Sequence, residues 1–197
     1  MIIGITGVFG SGKTTVAKLF AKYGYKHINA DVVGHKLLDS NLIKSKVVKA
    51  FGKGVLTNSK INRRKLKDIV FNDSKELIKL NKIIHKPIIN RIKSIVKKNK
   101  NGKIIVDGAL LIETKCLKMF DKLIVVKINR KEQYKRMLKR GKYTKGEITN
   151  IIKSQLSQKE KLKYGDITVD NSKDIKNTEK QIKAIIYDPV SNIPGKF

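Results

Sequence analysis

The residues best suited to chemistry stand at the start of the chain. Gly7-Val8-Phe9-Gly10-Ser11-Gly12-Lys13-Thr14 fits the spacing G-x-x-x-x-G-K-[ST], and Thr15 follows it. Drawn at random from this chain's composition, the pattern would arise by accident about 2% of the time. Gly7, Gly10 and Gly12 let backbone N–H groups converge on phosphate oxygens, and a helix starting here adds partial positive charge. Lys13 is placed to reach the β- and γ-phosphates, and the Thr14 hydroxyl to ligate Mg²⁺. Ser11 and Thr15 complete the candidate nucleotide contacts. This is chemistry for ATP with Mg²⁺, and it says nothing of the acceptor.

Other polar residues stand where such a loop would need help. Asp31 follows the second strand signal, at the edge where ligands of α/β proteins sit. It could orient or deprotonate an acceptor hydroxyl, hold Mg²⁺ through water, or cap a helix beginning at Val32. Asp107 ends a later strand and could support metal-bound water or the acceptor, or simply form an Asp-Gly turn. Arg136 and Arg140, four apart, share a helix face opposite Tyr134 and Leu138 and could spread charge over a transferring phosphoryl group, or be solvated. His85 alone reads as a surface or core-edge histidine.

The elements that must position these groups follow from hydrophobic periodicity. Short apolar runs at Ile2 to Thr6, Tyr25 to Ile28, Lys103 to Val106, Leu123 to Ile128 and Ile167 to Val169 read as strands. Val16, Leu19, Phe20 and Tyr23 make a helical stripe. From Val32 to about Lys100 the pattern is helical. One face is made by Leu66, Ile69 and Val70; a second, opened by an Asp73–Glu76 capping box, runs to Ile84; a third spans Ile88 to Val96. A polar loop is expected between Gly52 and Asn62. Asn129 with Glu132 and Thr144 with Glu147 mark further helix starts, and Ile175 to Tyr187 the closing helix. The alternation predicts an α/β fold with a parallel five-stranded sheet flanked by helices, interrupted by a helical insertion.

These segments, taken in order, resemble the dephospho-CoA kinase family. The P-loop and YKHINADVVGHKLL come first, followed by FGKGVL, INRRKLKDIVFND, LNKIIHKPI, DGALLIE, DKLIVV, RMLKRG, SQLSQKEKLKYGD and TVDNS, over about residues 1–187. The resemblance implies a P-loop kinase fold that transfers the ATP γ-phosphoryl group to the 3′-hydroxyl of dephospho-CoA, the last step of coenzyme A synthesis. It implies a nucleotide-binding core at 1–31 and 101–197, a lid at about 136–147 and an acceptor-binding insertion at 32–100. Asp31 falls at the base position, Arg136 and Arg140 at lid positions, and Asn171 at an adenine-side position. Arg63, Arg64, His85 and Asp107 fall on the acceptor side. Three departures stand out: Ala109 replaces the usual proline, Lys86 separates His85 from Pro87, and Gly165 precedes Asp166.

Composition supplies a competing idea and some exclusions. The 45 basic and 16 acidic residues of the 197 leave a net charge of +29, which invites a nucleic-acid reading. Yet the chain also holds 39 Lys, 28 Ile and 14 Asn, the bias of AT-rich codons, and its aromatic residues, 6%, do not cluster with lysine. Residues 32–102 carry 19 basic and 4 acidic side chains, so about half of the excess lies in the expected acceptor block. The lone Cys116 excludes an internal disulfide and a cysteine zinc site. No basic leader or membrane-length apolar run is present, so a cytoplasmic monomer or weak oligomer is expected, with a small-molecule substrate and no specific nucleic-acid or membrane partner. The alternatives are a nucleoside-monophosphate kinase and an ATP-linked nucleic-acid-binding protein.

Overall fold

A computed structural model describes residues 1–99, 102–139, 141 and 143–187. Five parallel strands form one sheet: β1 (Ile2–Gly7), β2 (Lys26–Asn29), β5 (Ile104–Asp107), β6 (Lys122–Lys127) and β7 (Ile167–Asp170). Their order is β2-β5-β1-β6-β7. All five expected strands are present, each with its ends within one residue of the expected apolar run. In the central strands β5, β1 and β6, Ile and Val run with little polar alternation because both faces are covered, whereas the edge strands β2 and β7 mix polar with apolar residues. Ile3, Ile5, Ile105, Ile124 and Val126 pack toward α1 (Lys13–Lys22) and α9 (Ile175–Tyr187). Their neighbours Ile104, Val106, Leu123 and Val125 pack on the opposite face with Ile92 and Leu111. The register pairs Ile5 with Asp107 and Asp107 with Asn29. The P-loop, Asp107 and the start of the next helix therefore share the carboxyl edge of the sheet.

Helices α2 (Ala30–Leu38), α3 (Asn41–Phe51), α4 (Arg63–Asn72) and α5 (Ser74–Lys97) lie between β2 and β5. They build a separate core from Ile43, Val47, Val55, Leu66, Val70 and Leu77, and Ile151 of α7 (Lys145–Lys153) joins it. The second and third expected helical faces belong to one 24-residue helix, α5, with Pro87 inside it. Pro87 withholds one backbone N–H, but the two halves are anchored separately, Leu77 and Leu80 in the insertion core and Ile92 against the sheet. Asp73 caps α5 through the Lys75 N–H; Glu76 pairs with Lys79, so the expected capping box is not the arrangement found.

The expected polar loop contains structure too. Val55 is fully buried, and β3 (Leu56–Thr57) pairs antiparallel with β4 (Lys60–Ile61). Asn58 and Ser59 take φ of 47° and 60°, the two left-handed residues of a tight hairpin turn. Asn62 then caps α4, accepting from the Arg64 and Lys65 N–H groups.

Candidate active site

The loop between β1 and α1 is held in shape before any ligand arrives. Gly12 caps α1 with φ 87°, and a side chain there would collide with the Asn171 amide nitrogen. Gly10 has φ 81°, and an added Cβ would lie 2.7 Å from Met137 Sδ. Glycine is therefore required twice, for conformation and for space. The Phe9 carbonyl accepts from Gln133 Nε2 at 2.6 Å, and its N–H donates to Gln155 Oε1 at 3.1 Å. Asn171 is buried; its Nδ2 donates to the Ser11 carbonyl, and its Oδ1 accepts from Thr178 Oγ1, both at 2.8 Å. The expected adenine-side residue thus has its amide turned to the loop backbone. Ser11 is buried with its Oγ unpaired among the described residues.

Lys13 and Thr14 open α1. Lys13 Nζ folds back to the Val8 carbonyl at 3.2 Å, while the Thr14 and Thr15 side chains stand exposed at the helix N-terminus. The first turn carries no acidic residue, so its positive end is not neutralised locally. Arg136 on α6 (Arg130–Lys139) bonds Glu132 Oε1 at 2.8 Å and the Lys173 carbonyl at 3.2 Å. Its guanidinium comes within 3.7 Å of where a Gly12 side chain would begin. The buried face of α6 is Gln133 and Met137; Leu138, expected opposite the arginines, is exposed. Arg140 lies outside the described residues.

Beside the loop, the insertion encloses a cavity of about 500 Å³ with mostly apolar walls. Asp31 lines it. Asp31 is in the first turn of α2, but it is not the cap: Asn29 Oδ1 accepts from the Val32 N–H at 2.8 Å. The capping role open to Asp31 in the sequence is taken, and its carboxylate is left to the cavity. The side chain keeps access to solvent, yet the surrounding walls thin its hydration and push its pKa up. Lys13 pulls the pKa down, Asp107 pushes it up, and His35 pulls it down. Asp107 lies below the floor, buried, with Oδ2 2.9 Å from His27 Nε2 and both oxygens within 3.2 Å of Asn29 Nδ2. It reaches the cavity through its charge, while Gly108 and Ala109 supply the wall.

The acceptor-side residues separate similarly. Arg63 and His85 line the cavity, and Arg64 is exposed outside it. Arg63 pairs with Asp39 Oδ2 at 2.9 Å. His85 Nε2 is buried without a hydrogen-bond partner among the described residues, and burial lowers its pKa against the opposing charge of Glu113. A further group reaches the mouth: Phe9 meets Tyr143 edge-on at 5.2 Å, and Phe71 packs on Tyr143 at 5.7 Å. Lys67 covers the Tyr143 ring at 4.6 Å and pairs with Glu147 Oε1 at 3.3 Å. Gln133, Gln155, Tyr143 and Lys67 are not singled out as site residues by type or spacing, because what defines them is a distant neighbour, although Lys67 and Gln155 lie in segments that carry the resemblance.

No cluster of three or more His, Cys, Asp or Glu able to hold a metal gathers among the described residues. A Mg²⁺ ion that arrives on a nucleotide needs fewer protein ligands, since phosphate oxygens and water fill most of its octahedron. The exposed Thr14 hydroxyl at the positive end of α1 fits that lesser demand.

The dephospho-CoA kinase family model matches residues 1–177. The chain belongs to the dephospho-CoA kinase family. A dephospho-CoA kinase of Fusobacterium nucleatum is 36% identical over 184 residues, spanning 93% of this chain and 95% of that one. That of Aquifex aeolicus is 37% identical over 195 residues, 98% of each chain. The solved dephospho-CoA kinase of Campylobacter jejuni superposes with a TM-score of 0.66 at 26% identity, covering 94% of each chain. A P-loop kinase fold, nucleotide use and a small-molecule phosphoryl acceptor follow for this enzyme, as does a place in coenzyme A synthesis. No helix among the described residues is long and apolar enough to cross a membrane.

Proposed function

We propose that Asp31 is the general base for phosphoryl transfer from ATP to the 3′-hydroxyl of dephospho-CoA, with the cavity as the acceptor site. The observation that carries this reading is the position of Asp31. It is a cavity-lining carboxylate within electrostatic reach of Lys13, freed from capping by Asn29. The acceptor oxygen attacks the γ-phosphorus, its proton passes to Asp31, and the bond to the β-phosphate oxygen breaks to release ADP. Lys13 and the N-terminus of α1 stabilise the phosphate charge, and Arg136 with Arg140 completes the lid side. Thr14 would help to hold a Mg²⁺ ion that arrives with the nucleotide, and such an ion would supply neutralisation of the phosphate charge. Apolar walls edged by Arg63, Lys67 and His35 suit an acceptor that joins an organic body to a pyrophosphate.

Steady-state assays with Mg²⁺-ATP and a panel of acceptors test it. Dephospho-CoA is expected to be phosphorylated, and Asp31→Asn to lower kcat by about 10²- to 10⁴-fold with ATP affinity nearly unchanged. A variant with wild-type kcat would remove Asp31 from the base role. Turnover of a nucleoside monophosphate, with no product from dephospho-CoA, would overturn the acceptor assignment.

A further inference from the structure

Beneath the cavity wall lies an ion pair that the proposed reaction does not use. Lys161, on α8 (Gln158–Leu162), is fully buried. Its Nζ donates to the Ala109 carbonyl and to Glu113 Oε1, both at 2.7 Å. Glu113 Oε1 also accepts from the Leu156 N–H at 2.9 Å. Burial pushes the Lys161 pKa down and Glu113 opposes it, so the charge persists in this place only because it is paired and hydrogen-bonded.

What Lys161 grips gives it a role. The Ala109 carbonyl belongs to the segment leaving β5, whose residues Gly108, Ala109, Leu110 and Leu111 line the cavity immediately after Asp107. No ring restrains the backbone at Ala109. The other hydrogen bond to that carbonyl comes from Thr6 Oγ1 and is longer, 3.3 Å. Glu113 ends the same segment, and its charge acts on His85 in the facing wall. One ammonium group thus ties the start and the end of the cavity wall to α8.

We propose that Lys161 is a positioning residue for the acceptor, fixing residues 108–113 as the surface against which dephospho-CoA packs. This rests on the cavity being the acceptor site. Acceptor affinity then depends on Lys161, and ATP affinity does not, since the P-loop backbone is held by Gln133 from α6 and by Asn171 from the end of β7.

Kinetics and thermal unfolding of Lys161→Met, of the double variant Glu113→Leu/Lys161→Met, and of Ile84→Trp test the proposal. Methionine keeps much of the volume of lysine but neither charge nor donor. Lys161→Met is expected to raise KM for dephospho-CoA at least about tenfold while KM for ATP stays within about twofold. The double variant replaces the buried pair with apolar groups, so its unfolding temperature recovers toward wild type. Its acceptor KM stays high, because the Ala109 carbonyl still lacks the charged donor. Recovery of acceptor KM together with stability, or an equal loss of ATP affinity, would make Lys161 purely structural and overturn the inference. Ile84→Trp adds bulk to the cavity from α5. If it raises acceptor KM while Lys161→Met does not, the inference falls and the cavity reading stands. If Ile84→Trp leaves acceptor KM unchanged, the cavity reading falls and takes the inference with it.

Discussion

At the scale of single residues, Asp31 pits reactivity against stability. Loss of hydration raises its pKa, and the nearby charge of Asp107 adds to the rise. A base must be unprotonated to act, so kcat/KM should fall at acid pH, on a limb that lies above the ordinary carboxylate range. The pH–rate profile of Asp31→Asn should lack that limb. The same shift works against folding when Asp31 is ionised. A carboxyl whose pKa is raised on folding favours the fold below its unfolded pKa, and that contribution is lost as pH rises through the folded pKa. Asparagine removes the buried-charge term, so Asp31→Asn should unfold at a slightly higher temperature than wild type at neutral pH. The expected rise is no more than about 3 °C, since solvent reaches the group. A melting curve at pH 7 beside one at pH 4 checks the sign: the difference should shrink at the lower pH.

At the scale of elements, α7 is the one whose seat on the insertion is easiest to test. Thr144 and Glu147 close a capping box, with the Thr144 N–H on Glu147 Oε2 at 2.6 Å and the Glu147 N–H on Thr144 Oγ1 at 3.2 Å. Glu147 also takes Lys67 from α4, and Asn150 Nδ2 donates to the Phe71 carbonyl at 2.9 Å. One short helix is therefore fixed at its start by its own cap and tied to the insertion by an ion pair, a hydrogen bond and the aromatic contact of Tyr143. Thr144→Ala should cost about 1 kcal/mol, seen as faster hydrogen exchange through the first turn of α7. The Thr144 N–H holds the Glu147 carboxyl below its usual pKa, the largest of several causes. The stabilisation is thus present above the unfolded pKa and lost as pH falls through the depressed folded one. Protection from exchange in α7, taken relative to the intrinsic rate at each pH, should weaken below about pH 4, and Glu147→Gln should remove that dependence. The Thr144–Glu147 spacing made this cap legible in the sequence, whereas Asp73–Glu76, with the same spacing, forms no box. Spacing brings the two groups within reach, but here Asp73 accepts from the Lys75 N–H and Glu76 pairs with Lys79.

At the scale of the whole molecule, the net charge of +29 predicts attraction to any polyanion. Nonspecific affinity for DNA or RNA should drop by about 10³- to 10⁵-fold between about 50 and 200 mM salt, if about 6–10 phosphates are neutralised. Kinase turnover of dephospho-CoA, measured in the same buffers, should change far less. Nucleic-acid affinity that survives the higher salt would point to a built site rather than a diffuse field. The fold itself was largely legible in the sequence. The central strands are apolar runs, several helix starts are local hydrogen-bond patterns, and the loop glycines answer a local demand for positive φ. The inner hairpin at Asn58 and Ser59 was not, since a two-residue strand is too short to show a period. Nor was the union of two helical faces through Pro87, which depends on separate cores holding its two halves.

The candidate site divides along the same line. Residue type and spacing alone determined the phosphate-binding loop and the presence of a carboxylate at Asp31, because those features lie within one strand–loop–helix unit. Only the tertiary structure decided that Asn29 rather than Asp31 caps α2, that Asp107 is buried against His27, and that Asn171 braces Ser11 from 160 residues away. It decided also that Lys161 lies under Ala109. Parallel strands need long crossovers. Residues that complete the site therefore meet at one sheet edge from distant parts of the chain, and no local pattern records which of them will touch.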